Sequence, residues 1–229
     1  EAVVKSGGNA KYSLGSVLGH VLMHQTINGN EALLQMEQAG DYPDIIVGCT
    51  GGGSNLSGLM FPFLGQQLRG GQKIDIIGCE PLSCPSFTKG KYAYDHGDMA
   101  KMTPLIKMHT LGSDFLPPAT HSGGLRYHGM SYHLSHLYDL GLMRAKAYGQ
   151  KECFEAGINF GQQEGIIPAP EATHAVKGAI DAALECKEKG ESKTILFNLC
   201  GHGHFDMSAY SDYFENKLAE DVFEEENVI

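Results

Sequence analysis

Residues 44–63, DIIVGCTGGGSNLSGLMFPF, place three consecutive glycines between an apolar run and an amphipathic one. The first run has the β-branched density and length of a buried strand, while Leu56, Leu59, Met60 and Phe63 recur at helical spacing. A glycine loop therefore joins a strand to a helix. Glycine costs backbone entropy on folding, so Gly51, Gly52 and Gly53 belong where the chain takes positive φ or lets another group approach the main chain. Successive N–H groups in such a loop point into one concavity, and the positive end of the following helix adds to the attraction for an anion. Ser54 and Asn55 can donate further hydrogen bonds or cap the helix. A tight turn with an Asn or Ser cap is the plainer alternative, and it leaves three glycines in a row unexplained.

The kind of anion is narrowed by what the loop lacks. A nucleoside triphosphate loop reads GxxxxGK[ST], and a dinucleotide fingerprint reads GxGxxG with an acidic residue about 20 positions on. Gly53 is followed by Ser54, Asn55 and Leu56, so neither pattern fits. Amides and hydroxyls without a lysine suit a terminal phosphate monoester that stays bound through turnover, the handle of a cofactor such as pyridoxal phosphate.

Composition limits the partners. With 229 residues, 42% apolar and 19% charged, the chain can bury a core. The formal net charge of -10 opposes binding to nucleic acid or an anionic membrane. No apolar run approaches the roughly 20 residues needed to span a bilayer, and no signal peptide is visible, so a cytoplasmic location is expected. Cys49, Cys79, Cys84, Cys153, Cys186 and Cys200 are scattered without a CxxC pair, as expected of reduced, mostly buried thiols. Zinc is not expected. The chain opens on Glu1 instead of Met, as a piece of something longer would.

Strand and helix patterns alternate along the chain. Helices are expected over residues 13–38, from Asn55 onward, and over 130–140, 152–164 and 171–189, the last closed by Gly190. Strands are expected over 44–49, 73–81 and 194–200. This alternation implies one α/β domain over residues 1–229, a twisted, mostly parallel sheet with helices on both faces. Residues 81–129 are rich in Pro, Gly, His and Tyr, lack clear periodicity and are too long for an idle connection, so they read as a functional loop region. The acidic tail, 215–229, is expected to fray.

Ligands of open α/β sheets sit outside the carboxyl ends of strands. The glycine loop and the CGHG turn at Cys200 and Gly201 are two such ends, and they face one crevice if their strands are neighbours. Each polar candidate has an ordinary reading beside its functional one. His202 and His204 lack a placed third metal ligand, and Cys200 is a buried thiol or a nucleophile. Glu164, in EGIIPAPE, is an exposed helix carboxylate or a site residue. His121, Arg126 and His128, in THSGGLRYHG, form a polar lid or a solvated loop.

GGGSN after a strand, HSGGLRYHG, EGIIPAPEATHA and NLCGHGHFD occur in this order. Together they resemble the stand-alone, second class of tryptophan synthase beta chains over essentially the whole sequence. Arg126, where the alpha-partnered class carries an aspartate, points to that second class, as do SCPSFTKGKYAYDHGD and PLIKMHTLGSDFLPP. The resemblance implies a fold type II pyridoxal 5'-phosphate enzyme that replaces the hydroxyl of L-serine by indole to give L-tryptophan. The expected assembly is a homodimer, and engagement of an alpha subunit is left open.

Carried over by motif, Gly51, Gly52, Gly53, Ser54 and Asn55 hold the cofactor phosphate and Glu164 lies beside its ring. Cys200, followed by Gly201, takes the position facing the pyridine nitrogen, where the family typically has serine. A neutral, weak donor or acceptor there leaves that nitrogen unprotonated. Arg126 belongs to the segment that closes over the substrate. Gly124 and Leu125 fall where carbonyls bind a monovalent cation in the alpha-partnered class.

The departures are absences. The family's Schiff-base lysine follows a histidine, and no His-Lys pair occurs here; nor does a segment of the ETGAGQ type. The chain is thus expected to be the carboxyl-terminal portion of such an enzyme, lacking the amino-terminal half and inactive alone. Two alternatives remain at this point. A serine or threonine dehydratase-like lyase shares the glycine loop but is not expected to combine LRYHG with EGIIPAPE, and a non-enzymatic phosphate-binding module accounts for the missing lysine.

A defined imine requires a lysine held beside the cofactor's reactive carbon. Borohydride reduction of this chain with pyridoxal phosphate is therefore expected to leave no stoichiometric adduct on a single lysine. Peptide mapping that finds one overturns the expectation.

Overall fold

A computed structural model describes residues 2–219 and 223. The elements run α1 (Ala2–Lys5), α2 (Gly19–Ala39), β1 (Ile45–Cys49), α3 (Ser54–Leu68), β2 (Asp75–Pro81), β3 (Lys91–His96), β4 (Leu105–Thr110), α4 (Tyr132–Asp139), β5 (Arg144–Tyr148), α5 (Gln150–Glu164), α6 (Pro170–Lys189), β6 (Ile195–Phe197) and α7 (Met207–Phe214). One four-stranded sheet has the order β5-β2-β1-β6, and β1 pairs in parallel with both β2 and β6. β5 pairs in parallel with β2. The expected condition is met: the strand before the glycine loop and the strand before Cys200 are neighbours.

Side chains alternate across a strand, so β1 feeds two cores at once. Ile46 joins Leu22, Leu56, Met60, Phe63 and Ile76 under α2 and α3. Ile45 and Val47 join Ile77, Cys79, Tyr148, Cys153 and Ala182 under α5 and α6. Glycines set the distance of the covering helices. A Cβ on Gly178 of α6 would overlap the Cys79 sulfur, and one on Gly58 of α3 would lie 2.6 Å from the Gln25 carbonyl oxygen of α2. Gly190, with φ 66°, ends α6 as expected. No helix among the described residues is long and apolar enough to cross a membrane.

Several boundaries differ from the sequence reading. The helix expected from residue 13 begins at Gly19, because residues 13–18 instead lie along the glycine loop; Leu18 is extended at φ -87°, ψ 140°. The last strand is confined to Ile195–Phe197, with the Asn198 amide still donating to the Val47 carbonyl. β5 carries RAKAY, whose alternating charges hide it from a search for apolar runs. It is an edge strand, with Arg144 bound to Asp75 and Lys146 to Glu185. α7 was likewise not expected. Most of the acidic tail from Glu215 lies outside the described residues.

Residues 81–129 are more regular than their composition suggests. β3 and β4 form an antiparallel hairpin with Lys91 opposite Thr110 and His96 opposite Leu105. Its connection is tied by Asp98, whose carboxylate accepts from the Thr103 amide at 2.9 Å and the Thr103 hydroxyl at 2.7 Å. The hairpin meets α4 where the His109 amide donates to Ser135 Oγ at 2.9 Å.

The start of this region is fixed by Glu80, fully buried at the end of β2. Its carboxylate accepts from the Phe87 amide at 2.8 Å, the Thr88 amide at 2.9 Å and the Thr88 hydroxyl at 2.7 Å. Burial raises its pKa from 4.5 to about 7 against the pull of these bonds. An acid with a raised folded-state pKa contributes stability that is full below its unfolded value and declines as pH rises to the folded one. Urea midpoints measured from pH 4.5 to 7 should therefore fall more steeply for the wild-type chain than for Glu80→Gln; parallel profiles would remove Glu80 as the cause.

Candidate functional site

The glycine loop leaves β1 at Thr50, whose amide donates to the Cys79 carbonyl at 2.7 Å. Gly53 then takes φ 100°, a conformation that glycine adopts without strain, and α3 starts at Ser54. Among the described residues, no protein acceptor takes the main-chain N–H of Gly51, Gly52, Gly53, Ser54, Asn55 or Leu56. Gly52, Gly53, Ser54 and Leu56 are buried. Buried donors without acceptors are costly. A fan of them at a helix start fits a phosphate group.

The walls of this fan come from distant segments. A Cβ on Gly52 would lie 2.5 Å from Ser16 Oγ, and one on Gly51 would lie 2.6 Å from the Gly124 carbonyl oxygen. Ser131, the cap of α4, donates its amide to the Gly52 carbonyl at 3.0 Å. The glycines therefore serve close approach on two sides as well as the turn.

β6 supplies the other half of the crevice. Cys200 Sγ lies 3.5 Å from Cys49 Sγ. Asn198 donates to Asn55 Oδ1 at 2.8 Å, and Asn55 Nδ2 lies 3.4 Å from both the carbonyl and the sulfur of Cys49. The contact between the thiols, either of which can donate, raises the pKa of Cys49 and lowers that of Cys200. Gly201 accepts from the Ala169 amide at 2.8 Å, which holds the CGHG turn against the start of α6.

Two expected residues have no contact with the glycine loop among those described. Glu164 is the exposed last residue of α5. Arg126 is exposed, donates to the Pro117 carbonyl at 2.8 Å and lines a separate cavity of about 1060 Å³ with Asp98 and Tyr127. The carboxylate that meets the loop is Glu171, which accepts from the Gly124 amide at 2.8 Å and whose charge acts on both thiols. Its signal was positional. α6 leads into β6, so in a parallel sheet its first turn stands at the carboxyl edge of the strands.

The remaining polar candidates are dispersed. His121 Nε2 is 3.8 Å from Asp212, and His128 Nε2 is 2.9 Å from the His96 carbonyl. His202 Nδ1 accepts from the His204 amide at 3.3 Å. No group of three or more His, Cys, Asp or Glu able to hold a metal occurs among the described residues. The Leu125 carbonyl accepts from the Cys84 thiol at 3.4 Å.

A family model described as pyridoxal-phosphate dependent enzyme matches residues 20–201, from the second residue of α2 to the CGHG turn. The chain belongs to this family. Family membership identifies pyridoxal 5'-phosphate as the cofactor, in accord with the phosphate-sized amide fan. Among its relatives, tryptophan synthase beta chain 2 of Methanosarcina mazei is 56% identical over 210 residues, covering 92% of this chain and 48% of the relative. That of Aquifex aeolicus is 57% identical over 215 residues, 93% of this chain and 50% of the relative. The chain spans about half the length of the curated relatives it matches. A fungal L-serine ammonia-lyase from Rhizomucor miehei superimposes with a TM-score of 0.63 at 14% identity, covering 88% of this chain and 58% of that one. The likeness extends the family's fold type II architecture to this sheet.

The amide fan has a direct test. Inorganic phosphate should shift the amide resonances of Gly51 to Leu56, and Gly52→Val should abolish the shift, since a side chain there meets Ser16. An unshifted loop in a folded wild-type chain would reduce the glycines to spacers.

Proposed function

We propose that this chain is the cofactor-binding portion of a tryptophan synthase beta-type enzyme, which replaces the hydroxyl of L-serine by indole. The observation that carries the reading is the meeting, at the carboxyl ends of β1 and β6, of a buried amide fan and the thiol of Cys200. The identity to tryptophan synthase beta chains across 92% of the chain supports the choice of reaction.

Each residue then has a physical task. Gly51, Gly52, Gly53, Ser54 and Asn55 hold the cofactor phosphate through main-chain donors, aided by the α3 dipole. Bound pyridoxal phosphate supplies an electron sink for the substrate's α-carbon. Cys200 faces the ring nitrogen as a neutral partner, and its contact with Cys49 fixes its orientation. Glu171 pins Gly124 and so holds residues 123–125 against the loop, while Glu164 is proposed to lie beside the cofactor ring. Arg126, one residue past that turn, is placed to follow a movement of residues 117–128 over the substrate.

The functional loop region is proposed to include the stretch at Gly124 and Leu125, where carbonyls are candidates for a monovalent cation. The Schiff-base lysine belongs to the portion of the parent enzyme outside this chain, so the chain alone is proposed to be inactive. The whole enzyme is proposed to be a homodimer. Met23, Ile27 and Leu34, exposed on α2, support burial of that face against further protein.

The full-length parent should form L-tryptophan from L-serine and indole. Its Cys200→Ser variant should keep most of the turnover, because both side chains present a small neutral group to the ring. Release of pyruvate and ammonia from L-serine without tryptophan formation would favour the dehydratase reading. Complete loss of turnover in folded Cys200→Ser would make the sulfur more than a neutral partner.

A further inference from the structure

Cys49 and Cys200 stand out from the other thiols. Cys79, Cys84, Cys153 and Cys186 are all buried, whereas Cys200 is exposed and its sulfur lies 3.5 Å from that of buried Cys49. Cys79 is paired in register with Cys49, but its sulfur lies under Gly178 of α6 and is fully buried. An oxidant arriving from solvent thus meets Cys200 first, and the nearest reducing partner is Cys49. We propose that Cys49 and Cys200 form a modification site at which a hydroperoxide closes a reversible disulfide across the carboxyl ends of β1 and β6.

The backbone allows the closure. A disulfide needs sulfurs about 2.05 Å apart, so the pair must approach by roughly 1.5 Å. Cys49 is held as the last residue of β1, between two strands. Cys200 lies beyond the last β6 contact with β1, the bond from the Asn198 amide to the Val47 carbonyl, and with its turn held by the Ala169 amide on Gly201, closure draws on rotation of the exposed Cys200 side chain. The contact with Cys49 also lowers the pKa of the Cys200 thiol, toward the thiolate that attacks a peroxide.

The chemistry balances. The Cys200 thiolate attacks one peroxide oxygen, the O–O bond breaks, and Cys200 becomes a sulfenic acid while the departing oxygen leaves as hydroxide, or alkoxide, and takes up a proton. The Cys49 sulfur then attacks the Cys200 sulfur. The S–S bond forms, the S–O bond breaks, and water leaves with the Cys49 proton. Two thiols are oxidised by two electrons and the peroxide is reduced to water, or to water and an alcohol. A dithiol reductant reverses the bond by exchange. The site stands on the two sulfurs of the cofactor-free chain, since the cofactor ring placed against Cys200 in the proposed reading would shield it.

Trypsin places the two cysteines in separate peptides, residues 12–69 and 194–217, each with a single cysteine. After graded hydrogen peroxide, alkylation and digestion, mass spectrometry should find these two joined and lighter by two hydrogens. Dithiothreitol should abolish the species, and Cys49→Ser should be unable to form it. Cys200→Ser, altered at an exposed position, should leave Cys49 reduced and open to alkylation only after unfolding. Over-oxidation of Cys200 with Cys49 still alkylatable would overturn the proposal. So would a disulfide between two copies of Cys200 or a link from Cys49 to Cys79.

Discussion

Everything at the candidate site follows from the parallel pairing of β1 with β2 on one side and β6 on the other. Parallel strands share a carboxyl edge, so the glycine loop, Asn198 and Cys200 emerge side by side although about 150 residues separate the two strands. The two-residue repeat of a strand does the rest. Ile46 and Gly48 face α3, leaving Ile45, Val47 and Cys49 to face α6, the side from which Cys200 and Glu171 arrive. A shift of one residue in the pairing would turn Cys49 away from Cys200 and bury neither core correctly.

Around this edge, the polar groups trade solvent for specific partners. Glu80 exchanges hydration for three protein donors and fastens the chain as it leaves β2. Glu171 does the same for Gly124, and Asn55 and Asn198 bind one another across the gap between α3 and β6. Among the described residues, the amides of the glycine loop lack such partners. That contrast separates a ligand cradle from a turn.

What the sequence revealed was local in origin. Glycines beside an apolar run, Gly190 after a periodic helix and the β-branched residues of β1 and β2 carry their meaning in a few neighbours, and they read correctly. Elements whose form depends on distant partners did not. Arg144 and Lys146 look unlike strand residues until Asp75 and Glu185 are beside them. Residues 13–18 look helical until Ser16 is needed against Gly52. Glu171 had the same source: it sits in one motif with Glu164, and the placement of α6 is what brings its charge to the sulfurs.

The two borders of the sheet are unlike in a way that bears on its solubility. At β5 the outer border carries Arg144 and Lys146 with their carboxylate partners, a charged fringe that discourages another strand from aligning. At β6 the border is Ile195, Leu196 and Phe197, half-buried and laddered to β1 alone among the described residues. Among the described residues the β6 border thus leaves a row of main-chain groups open to a further strand, whereas the charged β5 border discourages one.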